Sequence, residues 1–136
     1  EHRGMIDWVA ALNRLYRSEP ALHRLDNDPE GFSWIVGDDD QNVVLAFLRT
    51  DAADAGSRPV LVLCNFTAVP RRDYRVGVPQ GGPWEELLNS DDREFGGSGV
   101  ASGTVTAEDQ PAHGYETSLA VTVPPLATVF LAPTQA

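Results

Sequence analysis

No lysine occurs anywhere in the chain, cysteine and methionine occur once each, and no apolar run approaches the length of a membrane span. Each shortage removes a class of function. Without Lys there is no phosphate-loop cation and no amine for Schiff-base or pyridoxal chemistry, so the Gly-rich stretches read as ordinary loops. One Cys excludes an internal disulfide. A spanning helix needs about 20 apolar residues in succession, and neither that nor a charged-then-apolar signal peptide is present, so a soluble protein is expected. Positive charge is also scarce: ten Arg face twenty Asp and Glu, for a formal net charge of −10. Phosphate backbones and anionic lipid surfaces both require clustered cations, which excludes nucleic acid and membrane as partners.

What is present is one domain's worth of sequence, 136 residues with 42% apolar side chains. A chain of this size buries roughly two thirds of its unfolded surface and holds together without cross-links. Met5, Ile6, Trp8, Val9, Leu12, Leu15 and Tyr16 recur at three- and four-residue intervals, the pattern of an amphipathic helix of about four turns. Ser18-Glu19-Pro20-Ala21 reads as the start of a second, short helix through Leu25, with Ser18 as cap. From Phe32 the pattern changes to short β-rich runs. Phe32 to Val36 and Val43 to Arg49 flank an acidic turn, Val60 to Phe66 is apolar at nearly every position and so is covered on both faces, and Tyr74 to Val78 and Trp84 to Leu88 follow. Asn89 to Gly103 is a long loop. A weak strand near Thr104 to Ala107, an alternating one at Ser118 to Val123 with its polar side outward, and a last one at Thr128 to Leu131 bring the total to seven or eight. The class is mainly β: an antiparallel β-sandwich preceded by one or two helices.

Few residue groups carry chemistry. Asp26-Asn27-Asp28-Pro29-Glu30-Gly31 resembles the opening of a calcium loop, but Gly37 stands where the bidentate Glu belongs, so a polar turn is the better reading. His2, His23 and His113 lack ligand spacing and read as surface residues, and Cys64 lies in the most apolar strand as an inert thiol. No cofactor or metal is expected. Asn65-Phe66-Thr67 matches the glycosylation sequon. Asp38, Asp39, Asp40, Asp91 and Asp92 sit in turn-like segments and read as solvated charge. Among the aromatics, Trp8, Phe47 and Phe66 read as core, whereas Trp34, Tyr74 and Trp84 lie near strand ends. Aromatics there usually pack; exposed and coplanar, they stack on sugar faces.

Several phrases together resemble one family. Leu12-Asn13-Arg14-Leu15-Tyr16-Arg17, Pro20-Ala21-Leu22-His23, Gly31-Phe32-Ser33-Trp34, Asn65 to Arg71, Tyr74 to Pro79, Trp84 to Asp91, Gly96-Gly97-Ser98-Gly99 and Ser118 to Thr128 follow in the order found at the C-terminal end of bacterial glycogen branching enzymes of the α-amylase superfamily. The resemblance spans nearly the whole chain. It implies a parent that cleaves an α-1,4-glucan, holds the segment on an Asp and transfers it to a 6-hydroxyl, a retaining double displacement in the cytoplasm. The family's catalytic carboxylates belong to barrel segments upstream, so no residue here inherits them.

The resemblance further implies that residues 1–31 are the last barrel helix and exit segment of a (β/α)8 barrel, and 32–136 an α-amylase-type C-terminal β-sandwich. Opening on Glu1-His2-Arg3 just ahead of a helix, the sequence reads as part of something longer. The stripe Met5, Trp8, Val9 and Leu12 would then face the missing catalytic barrel, and Trp34, Tyr74 and Trp84 are the candidates for α-glucan contact. Two further readings stand beside this one. A carbohydrate-binding module would use the same aromatics, and an immunoglobulin-like interaction domain is disfavoured by the absent Cys pair and the leading helix.

Overall fold

The computed structural model describes residues 2–51 and 56–135; the sequence reads as a polar loop around Asp51 to Arg58, and residues 52–55 within it lie outside the described residues. Helix α1 (Arg3–Ser18) leads through 3-10 turns at Pro20–Leu22 and Pro29–Gly31 into strands β1 (Phe32–Asp39), β2 (Val44–Arg49), β3 (Val60–Asn65), β4 (Arg71–Val78) and β5 (Pro83–Asn89). After a 3-10 turn at Arg93–Phe95 come β6 (Val105–Thr106), β7 (Thr117–Val123) and β8 (Ala127–Pro133). Six strands form one sheet in the order β1-β2-β3-β8-β5-β6, and β4 pairs with β7 in a second sheet. The strand pairs are antiparallel throughout. The expected mainly-β antiparallel sandwich with a leading helix is therefore what forms.

Its core lies between the two sheets. In β2 the alternation of Val44, Ala46 and Leu48 inward with Leu45, Phe47 and Arg49 outward follows the two-residue period of a strand. Strand β1 keeps the same inward face only by a bulge: Trp34 pairs with Phe47 but Val36 pairs with Ala46, so Ile35 is the extra residue. From the small sheet Val76, Val78, Leu119, Val121 and Val123 complete the layer, with Trp84, Val129 and Leu131 beside them, all essentially inaccessible. Strand β3 is the exception to alternation because both its sides are covered. Leu61 and Leu63 face the sandwich core, while Val60 and Val62 join Ala21, Leu22 and Ala132 in a second cluster on the outer face, under the helix and its exit turn.

Local details depart from the sequence reading for identifiable reasons. Ser18 does not cap the second helix: its hydroxyl donates back to the Leu15 carbonyl, Glu19 holds the cap position, and the helix is a single 3-10 turn. Glu19 gives its carboxylate instead to Arg58. Phe66, expected in the core, is 58% exposed because β3 ends at Asn65. Ser118, expected outward, is buried because the segment from Glu108 to Glu116 folds over it; its hydroxyl donates to the Gln110 carbonyl and accepts from Arg75.

Candidate functional site

The three aromatics proposed for sugar contact are not brought together. Trp84 is wholly buried, with its indole N–H donating to the Gln80 carbonyl at 3.1 Å, so its ring offers no face to a sugar. Tyr74 is half-buried and its hydroxyl donates to Asp39 at 2.7 Å. Burial first, and then this bond to a carboxylate, push the Tyr74 hydroxyl's pKa well up. Asp39 in turn is held below its ordinary value by the Asn42 amide and the Tyr74 hydroxyl. The pair therefore pins the β1–β2 turn to the small sheet, and Asp39 is not the free solvated carboxylate expected. Only Trp34, 58% exposed on the outer face of β1, presents its ring to solvent.

Trp34 stands in a cluster that its own sequence segment did not reveal. Phe32 lies two residues back on the same face, and register places Phe47 of β2 directly opposite Trp34. Ring centroids are 5.1 Å apart for Phe32 and Trp34, with an interplanar angle of 85°, and 5.1 Å apart for Phe32 and Phe47, which stack. Phe47 also lines a groove of about 430 Å³ between α1 and the sheet, shared with Leu12, Tyr16, Val62 and Phe130. At its mouth Arg49 bonds Asp26 at 2.7 Å and the Tyr16 hydroxyl donates to the same carboxylate at 2.6 Å, which the Arg49 bond holds below its ordinary pKa. The Asp26 segment thus serves as a turn: Asp26 is spent on this pair, and Asp28 caps the Pro29–Gly31 turn by accepting from the Glu30 N–H.

The helix stripe divides in two. Trp8, Ala11 and Leu15 turn toward the sandwich, where Trp8 meets Phe95 edge to face at 5.2 Å and Leu15 packs on the outer cluster. Met5, Ile6 and Val9 turn away and stay 64%, 67% and 47% exposed. Leu12 lies between, at the groove. So Met5 and Val9 of the expected stripe are bare, whereas Trp8 has a partner within this chain.

Two polar assemblies hold α1 in this position. At its exit, Arg58 grips Glu19 through two nitrogens at 2.6 and 3.1 Å and reaches Glu85 at 2.8 Å and the Pro133 carbonyl at 3.0 Å. At its start, the long loop after β5 presents Phe95 to Trp8, and a Cβ on Gly4 would lie 2.5 Å from the Phe95 carbonyl oxygen. That loop is organised by Asp91, which accepts from the Ser98 hydroxyl at 2.6 Å and from the Ser98 and Val100 N–H groups. Burial pushes the Asp91 carboxyl up, but the three hydrogen bonds outweigh it and leave the group below its ordinary pKa. Asp91 is thus buried and bonded where solvation was expected; no local sequence pattern marks it apart from Asp92.

The remaining candidates have structural work. Asn65 of the sequon is 2% exposed and donates its amide to the Val69 and Pro124 carbonyls, so no glycosylation is possible in this fold. Burial raises the Cys64 thiol, which accepts from Thr128. The His113 Nδ1 accepts from the Gly77 N–H at 3.0 Å.

With this geometry in view, comparison with known proteins is informative. The family described as alpha amylase, C-terminal all-beta domain, matches residues 34–134. The 1,4-alpha-glucan branching enzyme GlgB of Rubrobacter xylanophilus is 55% identical over 133 residues, covering 98% of this chain and 18% of that protein. The enzymes of the same name from Cereibacter sphaeroides and Pseudomonas aeruginosa are 54% and 53% identical, covering 97% and 98% of this chain and again 18% of theirs. An alpha-amylase crystal structure from H. orenii aligns with 88% of this chain and 18% of its own, at 20% identity and a TM-score of 0.49. The chain thus spans less than a fifth of the length of these relatives, and it belongs to the alpha-amylase C-terminal all-beta domain family.

Proposed function

We propose that this chain is the C-terminal, non-catalytic part of a 1,4-α-glucan branching enzyme. In this reading residues 1–31 are the last helix of a catalytic (β/α)8 barrel with its exit segment, and 32–136 are the sandwich domain that supports it. The parent transfers α-1,4-glucan segments of glycogen or amylose to 6-hydroxyls, in the cytoplasm, and the sandwich braces one side of the barrel. The observation that carries this reading is the identity of just over half with named branching enzymes over 133 residues, nearly the whole chain.

Two features of the molecule support the bracing role. The buried carboxylates are committed to structure: Glu19 to Arg58, Asp51 to Arg24, and Asp91 to its loop. Helix α1, fastened to the sandwich along one side, carries Met5, Ile6 and Val9 bare along the other. Burying each such side chain is worth about 1.5–3 kcal/mol, which an isolated domain forgoes and a barrel neighbour would recover.

The test is an exchange in which this chain replaces the homologous last segment of the Rubrobacter xylanophilus enzyme. The chimera is expected to form α-1,6 branches on amylose, and the isolated chain to form none. Branching by the isolated chain overturns the reading, as does a folded chimera that does not branch.

A further inference from the structure

The small sheet is two strands wide, so among the described residues β4 has an edge that no strand covers. The connection from β6 to β7 crosses this sheet as a strap and reaches that edge. Gly77 of β4 stands opposite Ser118 of β7. Ser118 spends its backbone N–H and carbonyl on Glu108, at 3.0 and 2.8 Å, on the side of β7 away from β4. Opposed residues of an antiparallel pair alternate between exchanging both backbone bonds and exchanging none. Gly77 and Ser118 exchange none, so the Gly77 N–H points out from the open edge of β4, and there it donates to His113 Nδ1 at 3.0 Å. Residues 108 to 113 thus run from one edge of the sheet to the other.

The crossing is close. A Cβ on Gly77 would collide with the Ala112 carbonyl, so the strap lies directly on the strand. Beside it the Ser118 hydroxyl donates to the Gln110 carbonyl at 2.7 Å and accepts from Arg75 at 2.8 Å. Ala112 and Tyr115 exchange backbone bonds at 3.0 and 2.9 Å around a two-residue turn, whose central residues His113 and Gly114 have φ of 52° and 83°. His tolerates that left-handed conformation better than most residues do. The two ends of the strap are fastened by different means. Glu108 is held by two backbone bonds and by Arg75 at 3.3 Å, whereas the tip meets the β4 edge through an imidazole nitrogen, which accepts only while it carries no proton.

We infer that the strap of residues 108–116 is a proton-sensitive latch on the open edge of β4, hinged at Glu108 and released at His113. With its hydrogen on Nε2, neutral His113 accepts from Gly77 and the tip is closed. A second proton from solvent goes to Nδ1, where a donor then faces the Gly77 N–H, and the tip lifts. The freed amide stands on an uncovered strand edge, the kind of edge that recruits another strand. The charged groups on the elements in contact do not supply a substitute acceptor. On β4, Arg75 is paired with Glu108, and Arg72 and Asp73 are exposed toward its other end; β7 carries no charged residue; and the strap's remaining carboxylates, Asp109 and Glu116, are exposed and screened by water. His113 is itself exposed, so solvent protons reach it without any unfolding. The latch is independent of the branching-enzyme reading and stands or falls apart from it.

The test is nuclear magnetic resonance on the whole chain, following the His113 ring protons and the Gly77 amide together from about pH 8 to about pH 5, the range in which histidine changes charge. The Gly77 amide proton is expected to move upfield with the midpoint of the His113 ring. Its protection from exchange, corrected for the intrinsic rate, should fall roughly tenfold, about what one hydrogen bond is worth. The amides of Glu108 and Ser118 should keep theirs. A Gly77 amide that ignores the His113 titration overturns the latch, and so does loss of protection at Glu108 and Ser118 along with Gly77, which would mean that the sheet opens as a whole. His113→Asn keeps a residue that accepts the left-handed turn and offers a carbonyl oxygen with no proton to gain. In that variant the acid step at Gly77 should vanish; a step that persists would assign it to some other group.

Discussion

The two faces of the large sheet are built from equally apolar side chains but are finished differently. Inward, Val36, Ala46, Leu61, Leu131 and Trp84 meet Val76, Leu119, Val121 and Val123 of the small sheet, and every one of them is lost to solvent. Outward, Val60, Val62 and Ala132 are sealed by α1 and the Pro20–Leu22 turn, but the same face runs on to Phe32 and Trp34, which the described residues leave 38% and 58% exposed. A domain completes the face its own strands can cover. The other face is complete only where a helix has been fastened to it, and the fastening uses polar groups, Arg58 with Glu19 at one end and the Asp91 loop at the other. The inner face therefore answers for the domain's stability, while the outer face is sealed only in part.

Substitutions that strike one face and spare the other sharpen this contrast. The largest effect belongs to the inner face: Trp84→Ala removes the bulkiest fully buried side chain and should cost about 3–5 kcal/mol in urea unfolding. A loss under 1 kcal/mol would mean the sandwich core is not what holds the chain.

The fastening comes next. Asp91→Asn keeps the size of the side chain but removes the charge that accepts from Ser98 and Val100, at a cost of about 1.5–3 kcal/mol at pH 7. Because the folded pKa of Asp91 lies below the unfolded one, the wild-type advantage is fully present above the ordinary carboxylate value near 3.9. It should fade as the pH falls through the lowered folded value. Unfolding at pH 7 and pH 3, with amide exchange at Ser98 and Val100, measures both; a difference that persists undiminished in acid would remove Asp91 from this role.

The smallest effect is expected outside. Trp34→Ala in the isolated chain loses ring contacts with Phe32 and Phe47 but little burial, and should cost about 1 kcal/mol. A loss as great as that of Trp84→Ala would erase the distinction between the faces.

Much of this was legible before any coordinates. The helix period from Met5 to Tyr16 and the apolar run of β3 marked their elements, because each records in sequence which sides are covered. Boundaries were less accessible. Strand β1 runs on past Val36 to Asp39 because a bulge at Ile35 restores its inward face, and a bulge leaves no mark in composition. The aromatics divided along the same line. Trp34 and Trp84 both sit near the start of strands flanked by turn residues, yet one is exposed and the other sealed. The difference lies in which sheet face each side chain takes, and that is set by register against Phe47 in one case and Pro133 in the other, partners distant in the chain.

What the sequence determined by itself was the class of fold, the absence of lysine chemistry and of cross-links, and, through ordered phrases from Leu12 to Thr128, the family. These rest on local periodicity and on residue types, which the chain carries wherever it folds. Only the tertiary structure decided that the helix stripe has two sides, that Asp91 is buried while Asp92 beside it is not, and that Phe32, Trp34, Phe47 and Tyr16 share one surface. Those facts depend on contacts that range from the seven residues between Asp91 and Ser98 to the 87 between Trp8 and Phe95, where the free energy of burial and not local preference selects the neighbour.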